Sequence, residues 1–204
     1  MLASVYNEGA LVEAGCDEAG RGCLAGSVYA AAVIFAPDYT NDELNDSKQL
    51  TAKRRYRLRE IIERDALAWA VGVVTPEEID EINILNASIL AMHRALDQLQ
   101  VRPEFVIVDG NKFKPYGDVP SQTIVKGDAK YLSIAAASIL SKTYSDDYML
   151  ALHEEYPHYG WDHNAGYPTK EHRAGIVAHG LTPYHRLSFA GLGEPQLPFA
   201  DDDI

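Results

Sequence analysis

Residues 11–35 read LVEAGCDEAGRGCLAGSVYAAAVIF. Leu11–Asp17 has the make-up of a short strand. Ser27–Phe35 is a longer, almost wholly apolar run of the kind covered on both faces of a sheet. Between them stand two adjacent acids, Asp17 and Glu18, and then Gly20, Arg21, Gly22 and Gly26. The glycine spacing is one residue off the dinucleotide fingerprint. A strand follows it, however, where that fingerprint needs a helix whose N-terminus holds the pyrophosphate. No GxxxxGK[ST] occurs in the chain. The stretch therefore reads as strand, Gly-rich turn, strand, with no nucleotide cofactor. Neighbouring strand residues point to opposite faces. Asp17 and Glu18 can share a site only if the backbone bends, so the first strand is expected to end at Asp17. Ala19, Gly20 and Gly22 then turn the chain and bring Glu18 to the same side.

Working outward, Thr51–Asp65 is helical, with Leu58, Ile61 and Ile62 on one face. Lys53, Arg54, Arg55, Arg57 and Arg59 lie mostly on the other, which is read as a solvated face. Ala66–Val74 is a third strand. Thr75-Pro76-Glu77-Glu78 is a capping box with proline at the first helical position. Asn86–Leu99 is a helix, and Phe105–Val108 and Gln122–Val125 are short strands. Asp128 opens a long helix reaching about His153. Beyond Glu154 the texture turns to aromatics, histidines, glycines and prolines, with a helix at Thr169–Ala178 ended by Gly180. The order predicts an α/β domain on a mixed sheet of about five strands flanked by helices, with a small C-terminal helical cap. We assign 1–153 to the main domain, 154–193 to a cap packed on it, and 194–204 to a solvated tail.

The chain has 204 residues and a net charge of −12. That charge argues against a general nucleic-acid binder, which carries a basic footprint. It leaves room for an enzyme that meets a polyanion through a local basic patch or through metal ions held by its own acids. The N-terminus shows no basic segment followed by an apolar one, and no apolar run approaches a membrane span. Cys16 and Cys23 have neither zinc nor redox spacing and read as packed, reduced thiols of a cytoplasmic protein.

The acids share a signature, because each sits where a strand stops or a helix begins. Asp17 and Glu18 close the first strand, Asp109 closes FVIVD, and Asp128 follows QTIVKG. Such ends line one edge of an α/β sheet, where sites are built. Taken alone, Asp128 fits a helix N-cap better than a reactive group, and Asp109 before Gly110 fits a turn. Together they fit neither role. Two like charges about 4 Å apart repel by roughly 4 kcal/mol at an effective dielectric near 20. A convergent cluster must protonate, find cations or hold metal, and oxygen-only ligands suit Mg²⁺ or Mn²⁺.

With those residues in hand, the sequence resembles ribonuclease HII over nearly its whole length. The matching segments, in order, are GCDEAGRG, LNDSKQL, EIDEINIL, VIVDGN, VKGD, SIAAASILSKTYSD, GYPTKEH and HRLSF. The resemblance implies the RNase H fold and four active-site acids at Asp17, Glu18, Asp109 and Asp128, with Asp146 as the alternative fourth. It implies two divalent ions, Mg²⁺ or Mn²⁺, with Asp17 as the bridging ligand. Gly20, Arg21 and Gly22 would contact the ribose 2′-hydroxyl and the junction phosphate. Tyr167 would stack on the sugar and select a ribose followed by a deoxyribose. The implied substrates are RNA–DNA hybrids and duplex DNA carrying single ribonucleotides, cut on the 5′ side to leave 3′-hydroxyl and 5′-phosphate. Lys48, Lys126 and Lys142 are candidate phosphate contacts, and Asn86 and His172 candidate nucleic-acid contacts. His153, His158, His163, His179 and His185 show no metal-ligand spacing. Gln196-Leu197-Pro198-Phe199 resembles the peptides that dock on replication sliding clamps. The protein is expected to be a monomer without membrane contact.

Overall fold

The computed structural model describes residues 2–10, 12–44 and 50–190. The first strand, β1 (Glu13–Ala19), lies at the centre of a five-stranded sheet with β2 (Val28–Ile34), β3 (Ala68–Val74), β4 (Phe105–Asp109) and β5 (Ser121–Ile124), in the order β3-β2-β1-β4-β5. The first three strands form an antiparallel meander, and β4 and β5 continue the sheet in parallel. β1 and β2 are joined by the short Gly-rich loop, while the parallel pairing of β1 with β4 needs a long crossover. That long stretch carries α1 (Ala52–Asp65) between β2 and β3, then α2 (Pro76–Ile82) and α3 (Ile84–Asp97) between β3 and β4. The long α4 (Leu132–Glu155) follows β5.

Strand alternation divides the core. The even residues Ala14, Cys16, Val28, Ala30, Ala32 and Ile34 face α3, where they meet Ala87, Ala91, Met92 and Ala95. The odd residues Ala31 and Val33 face α1 and α4, against Leu58, Ile62, Ala136, Ile139 and Leu140. The first half of α4 is buried nearly all round, because its small side chains let it lie hard against β1. A Cβ added at Gly15 would stand 2.4 Å from the Ser133 carbonyl carbon. No helix among the described residues is long and apolar enough to cross a membrane.

Two expectations are corrected here. The first strand does not end at Asp17. It stays paired through Glu18, opposite Ala30, and Ala19, opposite Tyr29, and turns only at Gly20, whose φ of 90° suits glycine. Nor does Asp128 open the long helix. It lies in a separate 3₁₀ turn, Gly127–Ala129, and α4 begins at Leu132 with Tyr131 before it.

The capping box at Thr75 forms as read, with both reciprocal hydrogen bonds. In α3 the cap is Asn83, whose side chain accepts from Leu85 and Asn86, so that helix begins earlier than its apolar register suggests. After α4 come a 3₁₀ turn at Pro157–Tyr159, the short α5 (Trp161–Asn164) and α6 (Lys170–His179), capped by Thr169. These pack Tyr159, Trp161 and Ile176 against Met149 and Leu152 of α4 and Leu24 and Ala25 of the segment after β1. The C-terminal part thus leans on the loop that carries Gly20, Arg21 and Gly22. Lys48 and the stretch Gln196–Phe199 lie outside the described residues.

Candidate active site

The parallel pairing of β1 with β4 sets the two central carboxylates together. Cys16 pairs with Val108, so the next residues along the two strands, Asp17 and Asp109, stand side by side on the α4 face. Asp109 Oδ1 accepts the backbone N–H of Gly127 at 2.7 Å, which draws in the turn that carries Asp128. Lys126, with φ 56°, makes the sharp corner before it. Asp17, Asp109 and Asp128 therefore bring one carboxylate oxygen each to within 4.8 Å of one another. Asp17 is 5% exposed and Asp128 4%. A surface turn would not bury them so.

Burial raises the Asp17 carboxyl well above the ordinary range, and repulsion from Glu18 and Asp109 adds to it. A hydrogen bond from Ser138 and the Glu18 N–H, donated at 2.7 Å, oppose the shift. Like charges held this close in a dry pocket are a cost that a divalent cation relieves. An all-oxygen set of three carboxylates suits a hard ion such as Mg²⁺ or Mn²⁺.

Glu18 reaches the site from the other side of the strand. Alternation aims it at α3, into a cleft of about 90 Å³ that it shares with Arg21, Ser88, Met92, Asp109, Asn111 and Lys112. Burial raises its carboxyl, while Arg21, which donates to Glu18 Oε1 at 3.0 Å, pulls it back down. The acids are thus gathered from β1, β4 and the turn after β5, with Asp17, Asp109 and Asp128 together and Glu18 on the opposite face of an unbroken β1, rather than by a bend after Asp17. Asp146 is elsewhere engaged, bonded to Lys142 at 2.6 Å with Arg55 at 3.9 Å. The structure brings Asp128, not Asp146, to the other acids.

The Gly-rich loop and Tyr167 also meet. The place a Cβ would occupy on Gly22 lies 3.5 Å from Tyr167 Cε1, so the ring lies over a residue that offers only backbone. Tyr167 is 42% exposed. Lys142 Nζ sits 5.8 Å from the centre of its ring, and the Arg21 side chain is half exposed. Lys126 is exposed beside Gly127. Asn86 lies in a groove with Ile82, Ile89, Leu90, His93 and Lys114, and its amide donates to Ile82 O. His172 is fully buried and so cannot touch nucleic acid as its sequence position suggested.

Sequence reasoning missed Ser138 beneath Asp17. It also missed Arg186, fully buried, which donates from Nε to Gly26 O at 2.8 Å and from Nη1 to Arg21 O at 3.1 Å. Its sole signal in the sequence was a place in HRLSF. Asp80 of α2 anchors the following turn by accepting from the backbone of Leu187 and Ser188. Both cysteines are free and buried, with the Cys23 thiol pushed up to about 11, as inert packing requires.

Comparison with known proteins agrees with this geometry. The family model described as Ribonuclease HII matches residues 14–192. A ribonuclease HII from Bacteroides thetaiotaomicron is 71% identical over 92% of this chain and 94% of its own length. One from Porphyromonas gingivalis is 56% identical over 97% and 98%. Among solved structures, the ribonuclease H2 of Pyrococcus horikoshii OT3 superposes with a TM-score of 0.75 at 26% identity, covering 88% of this chain and 94% of that one. The RNase HII of Archaeoglobus fulgidus, solved in complex with PCNA, gives 0.73 at 27%, covering 88% and 95%. By sequence and by fold, the chain belongs to the ribonuclease HII family, RNase H-type endonucleases that depend on divalent metal.

Proposed function

We propose that the protein cleaves RNA–DNA hybrids and duplex DNA containing single ribonucleotides, on the 5′ side of the ribonucleotide, leaving 3′-hydroxyl and 5′-phosphate. The convergence of Asp17, Asp109 and Asp128 within 4.8 Å carries this reading. These three would hold Mg²⁺ or Mn²⁺, with Asp17 central because it neighbours both Asp109 and Glu18. Bound divalent ions supply charge neutralisation at the phosphodiester and a more acidic water. Asp17 is steadied for this by Ser138 and the Glu18 N–H. Asp109 is fixed by the Gly127 N–H.

Glu18, in the adjoining cleft, would complete the set from the α3 side, with Arg21 held on its carboxylate. Gly20, Arg21 and Gly22 would take the 2′-hydroxyl and neighbouring phosphate through backbone and guanidinium. Tyr167 would stack on the following sugar, where a 2′-hydroxyl would crowd the ring. Reading one hydroxyl in this way lets an enzyme with few base contacts choose RNA over DNA. Lys126 and Lys142 stand where phosphates would pass, which offsets locally the net charge of −12. Lys48 joins them on the strength of the resemblance alone. On this reading the protein acts in the cytoplasm, as a monomer. The solved complex of the Archaeoglobus fulgidus relative with PCNA supports a sliding-clamp contact here, which we assign to Gln196–Phe199. The main domain, cap and tail keep the limits 1–153, 154–193 and 194–204.

The test is a labelled duplex carrying one ribonucleotide, incubated with Mg²⁺, with Mn²⁺ and with chelator. One metal-dependent cut beside the ribonucleotide is expected, strongly reduced in Asp17→Asn and Asp109→Asn. Cleavage by Asp17→Asn at the wild-type rate would overturn the site.

A further inference from the structure

Tyr167 stands at the end of a hydrogen-bond chain that runs under the C-terminal cap. The backbone N–H of Thr182 donates to His185 Nδ1 at 2.9 Å. With that nitrogen accepting, the neutral ring carries its proton on Nε2, which lies 3.2 Å from Nε2 of His172. The same His172 nitrogen accepts the indole N–H of Trp161 at 3.0 Å. Its proton is therefore on Nδ1, 3.0 Å from the carbonyl oxygen of Tyr167. Each assignment follows from the last, and the chain carries no charge, the single Nε2 lone pair of His172 being shared by the Trp161 and His185 N–H groups.

The surroundings keep it neutral. His172 and His185 are 0% and 2% exposed. Burial lowers the His172 imidazole, and burial together with the neighbouring His172 takes His185 down to about 4. Trp161 and Tyr159 pack round both rings, with the two imidazole centroids 5.3 Å apart. Neither histidine can reach a substrate. The chain also ends at a telling place. Leu24 N–H donates to Gly166 O at 2.8 Å, and Arg186, next to His185, holds the carbonyls of Arg21 and Gly26. One short segment, His185-Arg186, thus fixes both Tyr167 and the loop of Gly20, Arg21 and Gly22 beneath its ring.

We propose that His172 and His185 are positioning residues for ribose selection, a relay of fixed tautomers that locks the Tyr167 backbone so that its ring is held over Gly22. This rests on the reading of Tyr167 given above. The relay acts on substrate choice, through the tyrosine, and not on the carboxylates.

The readout is the ratio of kcat/KM on a duplex with one ribonucleotide to that on an uninterrupted RNA–DNA hybrid. His172→Asn keeps an amide where Nδ1 stood, so the Tyr167 carbonyl retains a donor. His172→Gln carries its amide out to the Nε2 position and leaves that carbonyl without one. Both lose the ring and fall in thermal midpoint. The ratio should drop about tenfold in the glutamine variant and stay within about twofold of wild type in the asparagine variant, the scale of one hydrogen bond. A ratio unmoved in both, or lowered equally in both, overturns the relay. Tyr167→Ala is measured alongside. If it collapses the ratio while His172→Gln keeps it, the relay alone fails; if Tyr167→Ala leaves the ratio unchanged, the tyrosine reading fails and takes the relay with it. Nitrogen-15 NMR of the wild-type imidazoles at neutral pH tests the same point without a variant. His172 protonated on Nδ1 and His185 on Nε2 are expected, and the reverse tautomers sink the proposal.

Discussion

Replacing Asp17 with asparagine should stabilise the metal-free protein while destroying its activity. Asp17, Asp109 and Asp128 place carboxylate oxygens within 4.8 Å of one another. At that separation and an effective dielectric near 20, each ionised pair repels by about 3 kcal/mol. Partial protonation caps the cost, because the raised Asp17 carboxyl takes up a proton rather than bear all of it. Asparagine removes the central charge but keeps the oxygen that accepts the Glu18 N–H, so the strand end loses little. A gain of about 1–2 kcal/mol is expected. In a chain of this length that raises the thermal midpoint by about 2–8 °C in chelator.

The pH dependence carries a sign that checks the cause. A carboxyl whose folded pKa lies above its unfolded value binds more protons folded than unfolded in that window. The wild type in chelator should therefore gain stability as pH falls from neutral through the raised value, and the variant should gain less. Added Mg²⁺ should reverse the ranking. It binds the folded wild-type site and lifts its midpoint by mass action, and it lifts the variant far less. Differential scanning fluorimetry over a grid of pH and Mg²⁺ suffices. A variant less stable than wild type in chelator, or two proteins raised equally by Mg²⁺, would refute the electrostatic reasoning.

Other outcomes follow from the same geometry. Asp128→Asn should lower kcat/KM by at least ~100-fold with the fold intact by circular dichroism, whereas Asp146→Asn should keep activity within about tenfold, since Asp146 serves Lys142 and Arg55. Gly15→Ala should destabilise by about 1–3 kcal/mol, read as a lower urea midpoint, because the new methyl meets the Ser133 backbone at 2.4 Å and backbone cannot step aside cheaply.

What the sequence revealed depended on how local the cause was. The Thr75 capping box and the stop of the last helix at Gly180 are settled within a few residues and could be read directly. The acids were legible because a carboxylate closing an apolar strand has few structural uses. The position of Glu18 was misjudged for the opposite reason. Alternation was correctly invoked, but the expectation that the acids share one face required a bend, whereas Glu18 lies in the cleft beside α3, on the far face of an unbroken strand. Asp128 looked like a cap because its neighbours fit one. Only the pairing of Gly127 with Asp109, eighteen residues back, shows otherwise. Arg186 and the histidine pair were beyond reach, since their partners lie far along the chain or in backbone atoms that leave no mark on residue type.

The placement of these groups also bears on how chemistry and choice of substrate relate. The carboxylates hang from β1, β4 and the turn after β5, whose positions the central sheet dictates. Tyr167 and its buried support hang from the C-terminal cap, which leans on the loop after Ala19. The two halves meet at Arg21, whose side chain leans on Glu18 while its carbonyl is held by Arg186. Loosening the cap side should therefore change which duplex is cut while the triad stays competent, and neutralising the triad should silence every substrate alike. Arg21 is the one position where both effects should appear together, because removing its side chain frees the Glu18 carboxylate and strips the loop of its guanidinium at once.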